Sequence, residues 1–294
     1  MTKKNSQNLK KNNMNWDNLL VRCSCLGKVM TPGKGTVLTE KQAEELDRLS
    51  GLPQRTEKQE LTYQTLLAKK NAPPELSDTA KSYLKELYVF HKYGKETVGG
   101  SERSKYTMKG VSVEDNSIKL LNRLDGALYS KNESYFKNDF ICGTPDIITT
   151  TSHDTKKIID IKSSWDGASL LSKIGNPLDS NYYYQVQGYM ALTGATEAEI
   201  AYCLVSMPEE IINSEKKRIF YLLNPATEQN PEYLEAIEKL ENNMIFDEIP
   251  EEERVVRFKV DRDDSVIEKI YERVRICRLW LADFEKLHTG LNKK

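Results

Sequence analysis

The stretch from Gly143 to Asp166, GTPDIITTTSHDTKKIIDIKSSWD, constrains the fold of this chain more than any other. Lys156 to Ser164 alternates with a period of two, the pattern of a strand that buries one face. The run ending TPDIITTT has the same β-branched character, and the polar turn TSHDTK lets the two pair as a hairpin. Alternation puts Ile159, Ile161 and Ser163 on one face and Asp160, Lys162 and Ser164 on the other. Asp160 and Lys162 then stand ~7 Å apart along the strand, and pairing turns Asp146 toward the same cleft. Two carboxylates aimed at one point repel unless a cation lies between them. Hard oxygen ligands of this kind suit Mg2+ or Mn2+. The plain alternative is an exposed Asp160–Lys162 ion pair of little energetic weight.

Around this hairpin the periodicity is mostly helical. Thr39 caps one helix that stops at Gly51, and Thr56 repeats the Thr-Glu-Lys-Gln start for a second. Ser77 or Asp78 caps a third. A Gly-rich charged loop, GKETVGGSERSK, leads into a helix from about Ser104 to Leu124. The loop DGASLLSKIGNPLDS precedes the helix NYYYQVQGYMALTG, the runs EIAYCLVSMP and KKRIFYLLN read as further strands, and charged helices close the chain. The order predicts an α/β fold, a mixed central sheet flanked by helices with a helical N-terminal elaboration. Residues 1–16 read as a flexible basic arm. Residues 17–294 read as one domain, with a helical part over 17–100, the core over 101–225 and C-terminal helices over 226–294.

Two helices carry polar residues where packing does not ask for them. Val111, Ile118 and Leu121 share a stripe that also contains Glu114, with Gly110 one turn earlier. Glycine in a helix costs up to about 1 kcal/mol against alanine, which makes sense where another backbone comes close. A plain pairing of Glu114 with Lys109 or Arg123 is the alternative. In the later helix Gln185 and Tyr189 are i and i+4 and share a face with Tyr182, a combination that can bond phosphates and stack on bases.

Taken in order, Gly110-x3-Glu114, Thr144-Pro145-Asp146, Asp160-Ile161-Lys162 and Gln185-x3-Tyr189 resemble the PD-(D/E)xK nucleases. Within them the chain is most similar to the RecB-like and phage lambda exonuclease (YqaJ-like) group, over about Ser104 to Pro208. The resemblance implies a restriction-endonuclease-like core and a metal-dependent deoxyribonuclease acting at duplex DNA ends, 5′ to 3′, in phage-type recombination. It implies that Glu114, Asp146, Asp160 and the Ile161 carbonyl hold one or two Mg2+ or Mn2+ ions, with Lys162 and Gln185 as further catalytic residues. Tyr189 is implied as a DNA contact, and Arg22, Ser24 and Thr144 as a pocket for a 5′ end or its phosphate. A ring trimer and a single-strand annealing partner follow from the same resemblance. A structure- or site-specific endonuclease, or a nuclease fold that binds DNA without cutting, are the alternatives.

Bulk properties narrow this little. A net charge of -1 means that any DNA-binding surface is local. Five scattered cysteines fit a reducing compartment, hence the cytoplasm, rather than a disulfide framework. No apolar run reaches a membrane span, and no apolar stretch of the signal-peptide kind follows the basic start. No Gly-x4-Gly-Lys-Ser/Thr loop is present to supply a motor.

Overall fold

A computed structural model describes residues 15–33, 38–71, 75–95 and 105–291 of the protein, without the side chains of 71, 105–112 and 291. Most of the N-terminal arm, most of the Gly-rich charged loop, and the surroundings of Gly110 and the Val111 side chain lie outside them. In chain order, β1 (Val21–Arg22) follows a short turn at Trp16–Asn18, and α1 (Leu26–Met30) follows another at Cys23–Cys25. The helices α2 (Glu40–Ser50), α3 (Glu57–Asn71), α4 (Asp78–Tyr93) and α5 (Lys105–Asp125) come next. Then β2 (Phe136–Lys137), β3 (Ile141–Gly143), β4 (Ile147–Thr150), β5 (Lys156–Ser163), α6 (Gly167–Leu171), α7 (Ser180–Thr193) and β6 (Glu197–Cys203) alternate. The chain continues through α8 (Glu209–Leu223), α9 (Pro231–Met244), β7 (Val255–Asp261) and α10 (Asp264–Leu291).

The helix starts follow the cap chemistry in the sequence. Thr39 accepts from the Gln42 N–H and Gln42 answers to the Thr39 N–H, a capping box. Thr56 and Gln59 repeat it. Ser77 accepts from the Ala80 N–H, and Gly51 stands at the C-cap of α2.

The strands form two mixed sheets rather than the one expected. One has the order β1-β3-β2 and the other β4-β5-β6-β7. The hairpin exists as read: β4 pairs antiparallel with β5, Ile147 opposite Ile159. β5 runs parallel to β6, which pairs antiparallel with β7. One sheet face packs on α5 through Val113, Ile118, Leu121, Ile159, Ile161 and Ala201. The other packs on α7 and α10 through Ile158, Ile200, Val186, Met190, Ile270 and Val274. Thus β5 is sandwiched, which is why its apolar residues are fully or nearly fully buried on both faces.

Three expectations are corrected. KKRIFYLLN is part of helix α8, where Phe220 packs edge-on against Tyr233 of α9 at 5.4 Å. The 226–294 segment is not wholly helical: Val255–Asp261 is the edge strand β7, which completes the four-stranded sheet. The loop after Trp165 contains the short helix α6, capped by Asp166 accepting from the Ser169 N–H.

Helix α7 is drawn tightly onto α1. A Cβ on Gly188 would stand 2.6 Å from Leu26 Cδ1 and 2.9 Å from Cys23 Sγ. A Cβ on Gly27 would stand 2.6 Å from the Cα of Asn181. Only hydrogen side chains at both positions permit this approach, and it fixes the face that α7 turns to β5.

Candidate active site

The register of the hairpin carries Asp146, one residue before the Ile147–Ile159 pair, to the level of Asp160. Asp146 Oδ2 accepts the Ile161 N–H at 2.7 Å, so its carboxylate is fastened to the backbone of the Asp-Ile-Lys run itself. Asp160 is 1% exposed. Its Oδ1 accepts from Gln185 Nε2 at 3.0 Å, and Lys162 Nζ lies 2.6 Å from Oδ2. That contact pairs the lysine ammonium directly with the Asp160 carboxylate. Gln185 Oε1 accepts from Lys162 at 3.3 Å while Nε2 also reaches the Tyr189 hydroxyl at 3.2 Å. The Tyr182 ring covers Lys162 Nζ at 4.6 Å from its centroid. Ser164, the next residue on this face, is buried with its hydroxyl unpartnered.

The electrostatics are those of crowded negative charge. Burial, then the Asp160 carboxylate beside it, push the Asp146 carboxyl up to about 7, with Glu114 adding to the effect. The Ile161 N–H and Lys162 oppose the shift without cancelling it. Burial works against charge on Lys162, but Asp160 outweighs it and holds the ammonium above the ordinary lysine range. Tyr189 is pushed up by burial and by the same carboxylate, so its hydroxyl stays protonated and available as a donor.

Glu114 approaches from the α5 side and does not join this pair. Its Oε2 is held at 2.7 Å by Lys131, while Arg123 bonds Glu251 instead. Lys109 lies outside the described side chains. Among the described residues no three His, Cys, Asp or Glu side chains gather closely enough to share a metal ion. The structure therefore brings together Asp146, Asp160, Lys162, Gln185 and Tyr189, and leaves Glu114 at the margin, its charge acting on Asp146. Lys131 is a residue that sequence reasoning missed. It sits in the polar run SKNES, which has no periodicity to place it.

The rim residues come close by a different route. Buried Cys23 and Gly143 both lie against α7, Cys23 beside the Gly188 position and Gly143 beside the Tyr189 ring. Arg22, Ser24 and Thr144, their neighbours in sequence, are exposed. Arg22 acts electrostatically on the Tyr83 and Tyr135 hydroxyls. No helix among the described residues is long and apolar enough to cross a membrane.

No family model matches the chain, and no curated protein does. Solved structures do. A phage-related exonuclease from Haemophilus somnus 129PT is 25% identical with a TM-score of 0.59, covering 92% of this chain and 97% of its own. An alkaline exonuclease from Laribacter hongkongensis is 16% identical with a TM-score of 0.52, covering 93% of this chain and 94% of its own. The same enzyme in complex with dAMP gives 16% and 0.52 over 94% and 95%. The fold shared along nearly the whole chain is that of exonucleases.

Proposed function

We propose that this chain is a divalent-metal-dependent deoxyribonuclease of the PD-(D/E)xK type that degrades duplex DNA from its ends, 5′ to 3′, in phage-type recombination. The observation that carries the reading is the Asp146–Asp160 pair, Asp160 buried and Asp146 half-buried, with Lys162 and Gln185 beside it. Two carboxylates share one ammonium there, and the Asp146 carboxyl is pushed up to about 7 by burial and by Asp160. A donor set of this kind fits a hard divalent cation. Asp146, Asp160 and the Ile161 carbonyl would hold one or two Mg2+ or Mn2+ ions, with Glu114 joining from α5. Such an ion supplies Lewis-acid polarisation of a phosphodiester and a bound water of lowered pKa.

The chain's own residues do the positioning. Lys162, fixed between Asp160 and Gln185 and covered by Tyr182, presents a positive charge to a phosphate and orients the attacking water. Gln185 keeps Asp160 and Lys162 in register and the protonated Tyr189 hydroxyl offers a further donor. Arg22, Ser24 and Thr144 at the rim would receive a 5′ end. A ring trimer and a separate single-strand annealing protein complete the proposal. The match to exonucleases over nearly the full chain supports the reaction class.

One observation favours a second reading, a nuclease fold that binds DNA without cutting it: Glu114 is engaged by Lys131 rather than gathered with the other two carboxylates. A single assay separates the two. Duplex DNA labelled at either the 5′ or the 3′ end is incubated with Mg2+, Mn2+ or EDTA, with Lys162→Ala beside wild type and a closed circle beside the linear duplex. Metal-dependent loss of the 5′ label from linear DNA, spared circles and an inactive variant are expected. Cutting of circles points to an endonuclease, and intact DNA in every lane overturns the catalytic reading.

A further inference from the structure

Lys131 is not an ordinary solvent-exposed lysine. The loop that carries it is clasped on both sides. Before it, the Asn122 side chain of α5 accepts the Tyr129 N–H at 2.6 Å and donates to the Tyr129 carbonyl at 3.1 Å. After it, the Asn132 N–H donates to the Asp146 carbonyl at 2.7 Å and the Asn132 amide donates to the Pro145 carbonyl at 2.9 Å. The second clasp is to the Pro-Asp run itself. Between the clasps the Lys131 ammonium stands 2.7 Å from Glu114 Oε2. The carboxylates that act on it are Glu114, Asp115 and Asp146. Exposed ion pairs are usually worth little because two free side chains must be ordered to make them. Here the backbone on both sides of the lysine is held by four hydrogen bonds, so its side chain reaches Glu114 from a fixed point of the chain.

We infer that Lys131 competes with the divalent cation of the proposed metal site for the Glu114 carboxylate. The inference rests on the reading of Glu114 as a ligand. An ammonium at 2.7 Å occupies the approach to Glu114 Oε2 that a small divalent ion at roughly 2.0–2.1 Å would need. A divalent ion must therefore displace a competitor tied into the same loop, and Lys131 sets the concentration at which the site fills. A lysine at this point makes the site respond to divalent-ion supply instead of saturating at trace levels.

The test is calorimetric titration of the full chain with Mn2+, without DNA. Wild type is compared with Lys131→Ala, Lys131→Arg, Glu114→Gln, and Lys131→Ala combined with Glu114→Gln. Removing one positive charge near a divalent ion in a largely aqueous setting tightens binding by about five- to twentyfold in Lys131→Ala. Lys131→Arg keeps the charge and stays within about twofold of wild type. Glu114→Gln weakens binding, and in that background Lys131→Ala gains less than it does in wild type, because only the through-space repulsion is left to remove while the competition has lost its object. Equal or weaker binding in Lys131→Ala overturns the inference while leaving the metal site standing, as would a gain of the same size in Lys131→Arg. A wild-type chain that binds no Mn2+ overturns the metal reading and this inference with it.

Discussion

At the scale of single residues, Gln185 does the most with the fewest atoms. One amide satisfies Asp160, receives Lys162 and reaches Tyr189. It is 6% exposed, so none of these bonds is exchanged freely with water. Truncating it leaves Asp160 Oδ1 without its donor and Lys162 without its guide. Gln185→Ala is therefore expected to lower the rate of DNA degradation by about 10- to 100-fold, the usual cost of losing a group that orients a ligand. End-label release at saturating DNA measures it, and a wild-type rate would show that Lys162 needs no such guide. Gln185→Glu is expected to fall further, because it sets a third carboxylate beside Asp146 and the buried Asp160. The i, i+4 spacing of Gln185 and Tyr189 was legible in the sequence. Lys131 was not, because a lysine in an aperiodic loop gains meaning only from the two clasps that fix its position.

At the scale of elements, the strand–turn–strand hairpin and the caps of α2, α3 and α4 could be read because their signals are local: alternation, a polar turn, a Thr or Ser at the cap. The elements misread were decided by tertiary partners. In α8 the run Ile219-Phe220-Tyr221-Leu222 has strand-like residues, yet Phe220 packs on Tyr233 of α9 while Tyr221 and Leu222 stay largely exposed. Helical pairing with α9, reinforced by a Lys216–Glu241 ion pair, overrides the local preference. In β7 the alternation of Val256, Phe258 and Val260 was present but lay between an acidic run and a long helical pattern. On its other face Arg257 reaches Glu199 and Asp125. The contact between α1 and α7 was also invisible, since two glycines far apart in sequence announce nothing about each other. It yields a prediction at this scale. Gly27→Ala drives a methyl onto the Asn181 backbone, and is expected to destabilise the fold by about 1–3 kcal/mol. Denaturant unfolding checks it, and no loss of stability would mean that α7 can slide on α1.

At the scale of the whole molecule, the fold is unevenly shared along the chain. The N-terminal segment is bound to the last helix: the Trp16 indole donates to buried Glu285 at 2.8 Å, and Arg278 donates to the Leu19 and Asp139 carbonyls. By contrast, α8 and α9 pack chiefly on one another. Their buried residues Ile212 and Tyr233 belong to neither of the two core clusters. The chain also leaves and re-enters at one point, where the Met207 N–H bonds the Met244 carbonyl at 2.8 Å and the Phe246 N–H bonds Ser206 Oγ at 2.8 Å. Replacing residues 209–243 with a short Gly-Ser linker is therefore expected to leave a cooperative unfolding transition in place. Loss of that transition in calorimetry would show that the hairpin is part of the core after all.

The seam on which that hairpin hangs has a further consequence. β6 and β7 pair in unbroken register from Glu197–Asp261 to Cys203–Val255, yet they belong to stretches of chain on opposite sides of the α8–α9 excursion. The peptide link through that excursion contributes connection, not contact. Two separately made polypeptides, divided in the turn between α8 and α9, therefore carry matching edges of one sheet. They can dock as a heterodimer whose assembly, unlike the folding of the single chain, depends on concentration.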